Sequence, residues 1–287
     1  MEMKHQRLQT GLSLIELMVA MALSSFLILG IVQIYIDNKR SYSFQQSQSE
    51  NLEGSRYTLL LLQQELSKTG YRRRPDEQLE IAFPSFSGDL AGCGVFSAGT
   101  TVKRISQSSI CIRYQPRDHL DRDCLGNLPV TATSLETGPY TSAQEIIIER
   151  LWFEESDSND SGRLNCTRVH TDIAGTVTAA VNTGELVSGI VDLRYELGVG
   201  TNSDPRSISQ YTIDDTSSPI LAVRYIALMR SGGNLRDSIS AADALKNWQI
   251  ITGLEDDDEK LASLKSDDKG QLYQVSQSSM TLRNLMP

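Results

Sequence analysis

Residues 11–36 read GLSLIELMVAMALSSFLILGIVQIYI. The 25 positions from Leu12 to Ile36 contain no proline and one charged residue, Glu16. An α-helix rises about 1.5 Å per residue, so about 20 apolar residues are enough to cross the hydrocarbon core of a bilayer. The run therefore predicts a membrane-spanning helix close to the N-terminus.

The residues on either side of this run indicate its orientation and processing. Lys4 and Arg7 precede it, and Lys39 and Arg40 follow it closely. Because basic residues favour the cytoplasmic side, the leader predicts a cytoplasmic N-terminus, although Lys39 and Arg40 weaken the asymmetry. A conventional secretory signal has a shorter apolar region followed by a small-residue cleavage site, and neither is evident. The alternative is a cut before the apolar run, after Gly11.

Residues 11–19, GLSLIELMV, resemble the class III signal of type IV prepilins, whose usual form is Gly-Phe-Thr-Leu-Ile-Glu. The resemblance implies cleavage after Gly11 by a membrane prepilin peptidase. It also implies N-methylation of the new first residue, Leu12, which stands where the family usually has Phe. A carboxylate in an apolar span needs a partner or a task, and the resemblance implies that Glu16 neutralises the N-terminal amine of a neighbouring subunit during assembly. The alternative is a plain membrane anchor with Glu16 near the hydrated interface.

Composition excludes several classes of protein. The chain has 287 residues, with 27 basic and 36 acidic residues, a net charge of −9 and 39% hydrophobic residues. Without residues 1–11 the balance is 25 basic against 35 acidic, or −10. This hydrophobic content is that of a folded protein and excludes wholesale disorder. The acidic balance predicts no general nucleic-acid binding, which needs excess Lys and Arg to neutralise phosphates.

Signatures of catalysis are missing from the sequence. It lacks the patterns G-x-S-x-G, G-x-x-x-x-G-K-[ST], H-E-x-x-H and C-x-x-C, which carry nucleophilic, phosphate-binding, zinc and redox chemistry. His119 and His170 are the histidines beyond the leader, and both lie among polar residues, which predicts surface positions. We expect no enzymatic activity, no catalytic residue and no cofactor.

The apolar helix is expected to continue beyond the membrane, from Leu12 to about Lys68. Gly70 would end it and Pro75 would prevent a restart. Four leucines fall at helical spacing and predict a stripe that packs under a globular head: Leu52, Leu59, Leu62 and Leu66. The expected organisation is a leader at 1–11, a membrane and stalk helix at 12–70 and a β-rich head at 71–287. The basic residues 72–74 are expected to be a solvated linker.

The head is predicted to consist mostly of β-strands. Segments rich in Val, Ile and Tyr and bounded by turn residues lie at 109–114, 145–151, 176–181, 190–199 and 220–229. Alternation at 190–199 predicts one buried face, and 220–229 is apolar on both faces apart from Arg224, as in a central strand. We expect a short helix at 240–248 and a solvated loop at the acidic residues 255–259. The predicted fold class is α+β, with a long N-terminal helix packed on a mostly antiparallel sheet.

Three segments of the head resemble PilW-type minor pilins of type IV pili. Residues 186–199, LVSGIVDLRYELGV, are similar to that family's Gly-Val-x-x-Leu-x-x-x-Tyr-Gly-Val strand, with one residue inserted near its end. Residues 221–231, LAVRYIALMRS, are similar to its next strand, and residues 281–284, TLRN, fit a closing motif. The resemblance implies an inner-membrane subunit that assembles with other minor pilins and the major pilin, through the pilus machinery, to initiate or cap a fibre.

Two other readings share the N-terminal signal. One is a J-type pseudopilin of type II secretion, against which the larger size, the four cysteines and the PilW-like strand argue. The other is an adhesin or DNA receptor at the fibre tip, which exposed aromatic or basic clusters in the head would favour. The second is compatible with a minor pilin.

Cys93, Cys111, Cys124 and Cys166 would lie in the oxidising periplasm, where an even number of cysteines predicts disulfides. The residues alone allow three pairings. Residues 123–126 (DCLG) and 164–166 (LNC) resemble a paired arrangement in PilW-like heads. The resemblance therefore implies the pairs Cys124–Cys166 and Cys93–Cys111.

Residues 157–162, DSNDSG, match the first half of a calcium-binding loop. The twelfth position of such a loop would be Arg168, so the bidentate glutamate that completes the site is missing. A turn built from Asp, Asn and Gly explains the segment equally well. We expect no metal site.

Overall fold

A computed structural model describes residues 13–131, 135, 140–141, 144–156, 161–214, 218–232, 242–255, 257–268 and 270–286. Gly11, Leu12 and the rest of the leader lie outside these ranges. The chain forms two compact units, one up to Gln46 and one from Ser47 onward. The helices are α1 (Leu14–Ser67), α2 (Leu79–Ala82), α3 (Ala242–Thr252) and α4 (Glu259–Ser266), and a 3₁₀ turn follows at Arg283–Leu285.

The predicted N-terminal helix is confirmed, since α1 is continuous over 54 residues. Its predicted stripe is right for Leu62 and Leu66, which are fully buried, and wrong for Leu52, which is 49% exposed. The buried face runs instead through the small polar residues Asn51 and Ser55. Asn51 is accommodated because its amide donates to the carbonyl of Leu272 at 3.1 Å, which satisfies a buried polar group.

Eight strands form one antiparallel sheet within the described residues: β1 (Val102–Ser106), β2 (Ser109–Tyr114), β3 (Ile146–Glu154), β4 (Gly162–Thr171), β5 (Val177–Val199), β6 (Gln210–Thr212), β7 (Ile220–Arg230) and β8 (Tyr273–Thr281). Their order is β1-β2-β3-β4-β5-β7-β8, and β6 pairs with β5. The fold class is therefore the predicted one, a long apolar helix followed by an antiparallel β head.

The strand predictions differ from the structure mainly at β5. Two predicted strands, 176–181 and 190–199, are parts of this one 23-residue strand. Its first half pairs with β4 and its second half with β7, with register shifts in both pairings. The turn residues between the two predicted strands do not end β5. They lie within this irregular pairing, and Gly189 adopts a positive φ of 83° inside the strand. Strands β1, β4, β6 and β8 were not predicted.

Apolar clusters lie on both faces of the sheet. One face carries the main core, to which α1 contributes Leu62 and Leu66. Two smaller apolar clusters lie on the other face, one formed with residues 82–96 and one with α3 and α4 around Trp248. The predicted single buried face of 190–199 is therefore wrong. A register shift between Ile190 and Asp192 also turns Val191 toward the Trp248 cluster instead of the main core.

Three local predictions outside the sheet need correction. The helix expected at 240–248 is α3, which extends to Thr252, and Ser240 lies outside the described residues. The acidic run is not all loop, because Asp258 caps α4 by accepting from the backbone N–H groups of Lys260 and Leu261, and Glu259 begins the helix. The basic triplet is not uniformly solvated: Arg73 is only 3% exposed and donates to the carbonyl of Arg117 at 2.6 Å.

Candidate functional site

Glu16 is the first candidate residue that the structure describes. The sequence Ser13-Leu14-Ile15-Glu16 has the capping-box pattern, in which a glutamate reaches back to the first residue of the helix. Glu16 Oε2 accepts from the backbone N–H of Ser13 at 3.0 Å, and both residues are exposed. Within its own chain, Glu16 therefore caps the N-terminus of α1. The carboxylate lies at the surface of the helix, where a positively charged group of another chain can reach it.

Among the described residues, α1 is the one helix that is long and apolar enough to cross a membrane. Its apolar side chains up to Ile36 are exposed, and Leu14, Phe26 and Leu29 have 77%, 78% and 68% of their surface accessible. Such a continuous apolar surface is unfavourable in water and is expected where lipid or another helix covers it.

Two disulfides join the four cysteines in the pairs that the resemblance implies. Cys93 bonds to Cys111 of β2, with Cα atoms 5.9 Å apart, and Cys124 bonds to Cys166 of β4, with Cα atoms 6.4 Å apart. The first ties the loop before β1 to the sheet. The second ties the turn at residues 123–127 to the opposite face of the sheet, where Cys166 belongs to the main core. Both bonds thus attach long loops to central strands.

His170 is buried, so the predicted surface position is wrong. Its ring is 1% exposed on β4. Nδ1 lies 2.5 Å from Oε1 of Glu145, and Nε2 lies 3.1 Å from Oδ2 of Asp123. Arg168, two residues earlier on the same face of β4, forms an ion pair with Asp123 at 3.1 Å. The four side chains form a buried network of two cations and two carboxylates.

The pKa values within this network reflect the competition between burial and pairing. Burial alone lowers the pKa of His170, but the hydrogen bonds with Asp123 and Glu145 outweigh it and raise the pKa above its ordinary value. Burial raises the pKa of both carboxyls, and their hydrogen bonds to His170 and to backbone N–H groups bring the net shift below the usual range. The charged forms are thus favoured on both sides.

His119 is less buried than His170 and lies in the loop after β2. We find no nucleophile paired with either histidine among the described residues. The sulfurs of Cys124 and Cys166 and a carboxylate oxygen of Glu149 lie within 4.8 Å of one another, but both sulfurs are used by the disulfide. Of the calcium-like segment, residues 157–160 lie outside the described ranges, and Gly162 begins β4.

Sequence reasoning also missed another buried cation, Arg113 of β2. Its guanidinium donates to backbone carbonyls, among them those of Pro84 at 2.7 Å and Ser97 at 2.8 Å, and lies 4.8 Å from the centre of the Phe96 ring. Because burial disfavours the charge, its pKa falls to about 10. Arg113 fastens the segment that carries Cys93 to the sheet. The signal available in the sequence was the spacing of two between Cys111 and Arg113, which places both side chains on the same face of one strand.

The N-terminal segment matches a family model. Residues 6–32 match the prokaryotic N-terminal methylation motif, a range that contains Gly11, Leu12 and Glu16. The apolar helix α1 begins within this motif, and the antiparallel β head follows it.

Among solved structures, the chain is similar to the type IV-like pilin TTHA1219 from Thermus thermophilus, with 12% sequence identity and a TM-score of 0.39. The alignment covers 83% of this chain and 97% of that one. No curated protein matches the chain.

Proposed function

We propose that this chain is a PilW-type minor pilin with a structural, non-enzymatic role in a type IV pilus. In this proposal, prepilin peptidase cleaves after Gly11, Leu12 is N-methylated, and the subunit waits in the inner membrane with its head in the periplasm. It then joins other minor pilins and the major pilin to initiate or cap a fibre. The observation that carries the proposal is the methylation motif at residues 6–32, placed on an exposed apolar helix.

The chemistry of assembly follows from the exposed N-terminal part of α1. Its apolar side chains partition into lipid, and on extraction the same side chains pack against the helices of other subunits. Glu16 gives this packing a register, because a carboxylate in an apolar environment is stabilised when it meets a cation. Cleavage after Gly11 creates such a cation, the amine of Leu12, in every processed subunit. Assembly exchanges the bond of Glu16 to Ser13 for an ion pair with a neighbour.

Two substitutions test processing and assembly separately. Gly11→Leu should block removal of the leader, because the peptidase requires a small residue before the cut. Glu16→Ala should leave cleavage and membrane insertion intact while reducing incorporation into fibres at least tenfold. Intact mass of the membrane-extracted chain measures cleavage and methylation, and immunoblotting of sheared fibres measures incorporation.

A matched control is Glu53→Gln, on the same helix within the unit that begins at Ser47, which should behave as the wild type. If the Gly11→Leu chain still lost the leader mass, the class III signal would be wrong. If Glu16→Ala entered fibres normally, the register role would be wrong. Copurification with type II secretion components instead of pilins would favour the J-type pseudopilin, and binding of DNA or a surface ligand by the assembled chain would favour the tip receptor.

A further inference from the structure

The protonation state of His170 follows from geometry. Both ring nitrogens are within hydrogen-bond distance of carboxylate oxygens, those of Glu145 at 2.5 Å and Asp123 at 3.1 Å. An ionised carboxylate only accepts hydrogen bonds, and a neutral imidazole has a single N–H. Both contacts are satisfied together only by the doubly protonated, positively charged ring.

The two carboxylates that His170 holds are themselves backbone caps. Oδ1 of Asp123 accepts from the backbone N–H groups of Leu125 at 2.9 Å and Asn127 at 2.8 Å. The carboxylate of Glu145 accepts from the N–H groups of Val130 at 3.1 Å and Thr131 at 3.0 Å. We call residues 123–131 the capped segment. Its start depends on Asp123 and its end on Glu145, so both ends depend on one ring.

The capped segment forms part of the surface of the head. Leu128 and Val130 have 42% and 51% of their surface exposed. At its start the segment is also tied covalently through Cys124 to Cys166. The end near Val130 has no such bond to the sheet among the described residues. Loss of the Glu145 contact would therefore remove the carboxylate that accepts from the N–H groups of Val130 and Thr131, next to these two apolar side chains.

The charged side chains on the strands around His170 set its electrostatic surroundings. Arg168 of β4 pairs with Asp123, and Glu149 of β3 lies on the same face and accepts from the backbone N–H of Cys124 at 2.9 Å. On β5, the residue opposite His170 is Ala179, which is uncharged. With His170 charged and Glu149 protonated, the cations His170 and Arg168 balance Asp123 and Glu145. With His170 neutral, the same buried volume holds an uncompensated negative charge.

We propose that His170 is a pH-dependent latch that fixes the capped segment to β4 when its ring is charged and releases the Val130 end when the ring loses a proton. The raised pKa of His170, caused by its two hydrogen-bonded carboxylates against the opposing effect of burial, extends the closed state above the ordinary histidine range. A group with a pKa raised on folding stabilises the folded state fully below its unfolded pKa, about 6.5, and loses this contribution as the pH rises through the folded value. The latch is therefore closed while His170 is charged and both carboxyls are ionised, and it opens as the pH rises through the folded pKa of His170.

Hydrogen exchange of the full chain in detergent micelles tests the latch. Protection factors, corrected for the intrinsic pH dependence of exchange, should be similar for β7 at pH 6 and pH 9. For the N–H groups of Val130 and Thr131 they should fall at least tenfold between the two values. The His170→Gln chain should show low protection of these residues at both pH values. His119→Gln is the matched control and should follow the wild type.

Equal protection of the Val130 and Thr131 N–H groups at pH 6 and pH 9 in the wild type would overturn the latch, as would wild-type protection in His170→Gln. Nuclear magnetic resonance of histidine-labelled wild-type chain provides a second measurement that does not depend on a variant folding. One ring should carry protons on both nitrogens at pH 6 and titrate above 6.5. Titration of the His170 ring at or below 6.5 would also refute the proposal.

Discussion

Glu149 is the buried acid with the clearest link to stability. Its Oε1 accepts from the Tyr114 hydroxyl at 2.8 Å and from the N–H of Cys124 at 2.9 Å, while Oε2 is buried with no hydrogen-bond partner in the part of the chain that the structure describes. Burial, reinforced by the negative charge of Glu65, raises the pKa of Glu149 to about 8, against the opposing effect of Lys68. The carboxyl is therefore protonated in the folded chain at neutral pH.

Glu149→Gln should flatten the dependence of stability on pH. A carboxyl whose pKa rises on folding stabilises the folded state fully below its unfolded pKa, about 4.3, and loses that contribution as the pH passes its folded value. Each tenfold change in proton affinity corresponds to about 1.4 kcal/mol, so the wild type should lose stability between pH 5 and pH 8.5. The glutamine cannot ionise, and the variant should lose at least about 1 kcal/mol less over this range.

Denaturant unfolding of the full chain in micelles at the two pH values measures this difference. Glu154→Gln, on the same strand but half-exposed, is the control and should keep the wild-type pH dependence. Identical slopes for wild type and Glu149→Gln would show that Glu149 is ionised in the folded chain at neutral pH.

At the scale of residues, a local pattern was enough to name the candidate processing and assembly residues, whose roles stay predictions. Gly11, Leu12 and Glu16 lie within a few positions of one another, and the resemblance supplied the cysteine pairs. His170 was misplaced because its partners, Asp123 and Glu145, lie 47 and 25 residues away. The usable signal was its spacing of four from Cys166, which on a strand places both side chains on one face. Polar neighbours in the sequence do not report such long-range pairing.

The hairpin formed by β3 and β4 depends on Gly162, the first residue of β4. A Cβ atom at Gly162 would lie 2.2 Å from the backbone oxygen of Glu154 and 2.7 Å from the Phe153 ring. A backbone oxygen cannot move aside as a flexible side chain can, so Gly162→Ala should destabilise the chain by about 1–3 kcal/mol.

Gly88 provides the matched control, because a Cβ there meets nothing within 4 Å. Gly88→Ala should change the free energy of unfolding by less than about 0.5 kcal/mol. Denaturant unfolding at pH 6 measures both variants. A Gly162→Ala chain as stable as Gly88→Ala would mean that the β3–β4 hairpin relaxes without cost.

Strand β5 shows what local patterns could not predict at the scale of elements. Its composition correctly marked 176–181 and 190–199 as extended, but the connection between them depends on pairing with β4. Within the described residues, the part before Ser188 pairs on one side only, and its pairing with β4 is interrupted by register shifts. Such irregularities protect an open strand edge against addition of another strand. The sequence contains glycines that permit this, among them Gly189 with its positive φ, but does not identify the partner strand.

At the scale of the whole molecule, α1 belongs to two environments. Up to Ile36 its apolar side chains are exposed, whereas from Asn51 onward one side of it contributes to the core of the unit that begins at Ser47. Hydrophobicity predicted the first part, because a long apolar run with a single charged residue indicates a membrane-spanning helix. It predicted the second only in part, since Asn51, Ser55 and Thr58 occupy buried positions where an apolar stripe was expected. Polar side chains that bond to nearby backbone do not appear in a hydrophobic pattern.

This division predicts how the chain can be shortened. A fragment of residues 47–287 retains Leu62 and Leu66, whose side chains are fully buried in the main core, and should fold as a soluble protein with both disulfides. A fragment of residues 71–287 lacks them. Each lost leucine removes about 1.5–3 kcal/mol of burial and uncovers sheet residues such as Tyr195 and Tyr225, so this fragment should aggregate or unfold. Size-exclusion chromatography and thermal unfolding of the two oxidised fragments compare them directly. A stable, monomeric fragment 71–287 would show that the sheet does not need α1, and that the head folds independently of its helix.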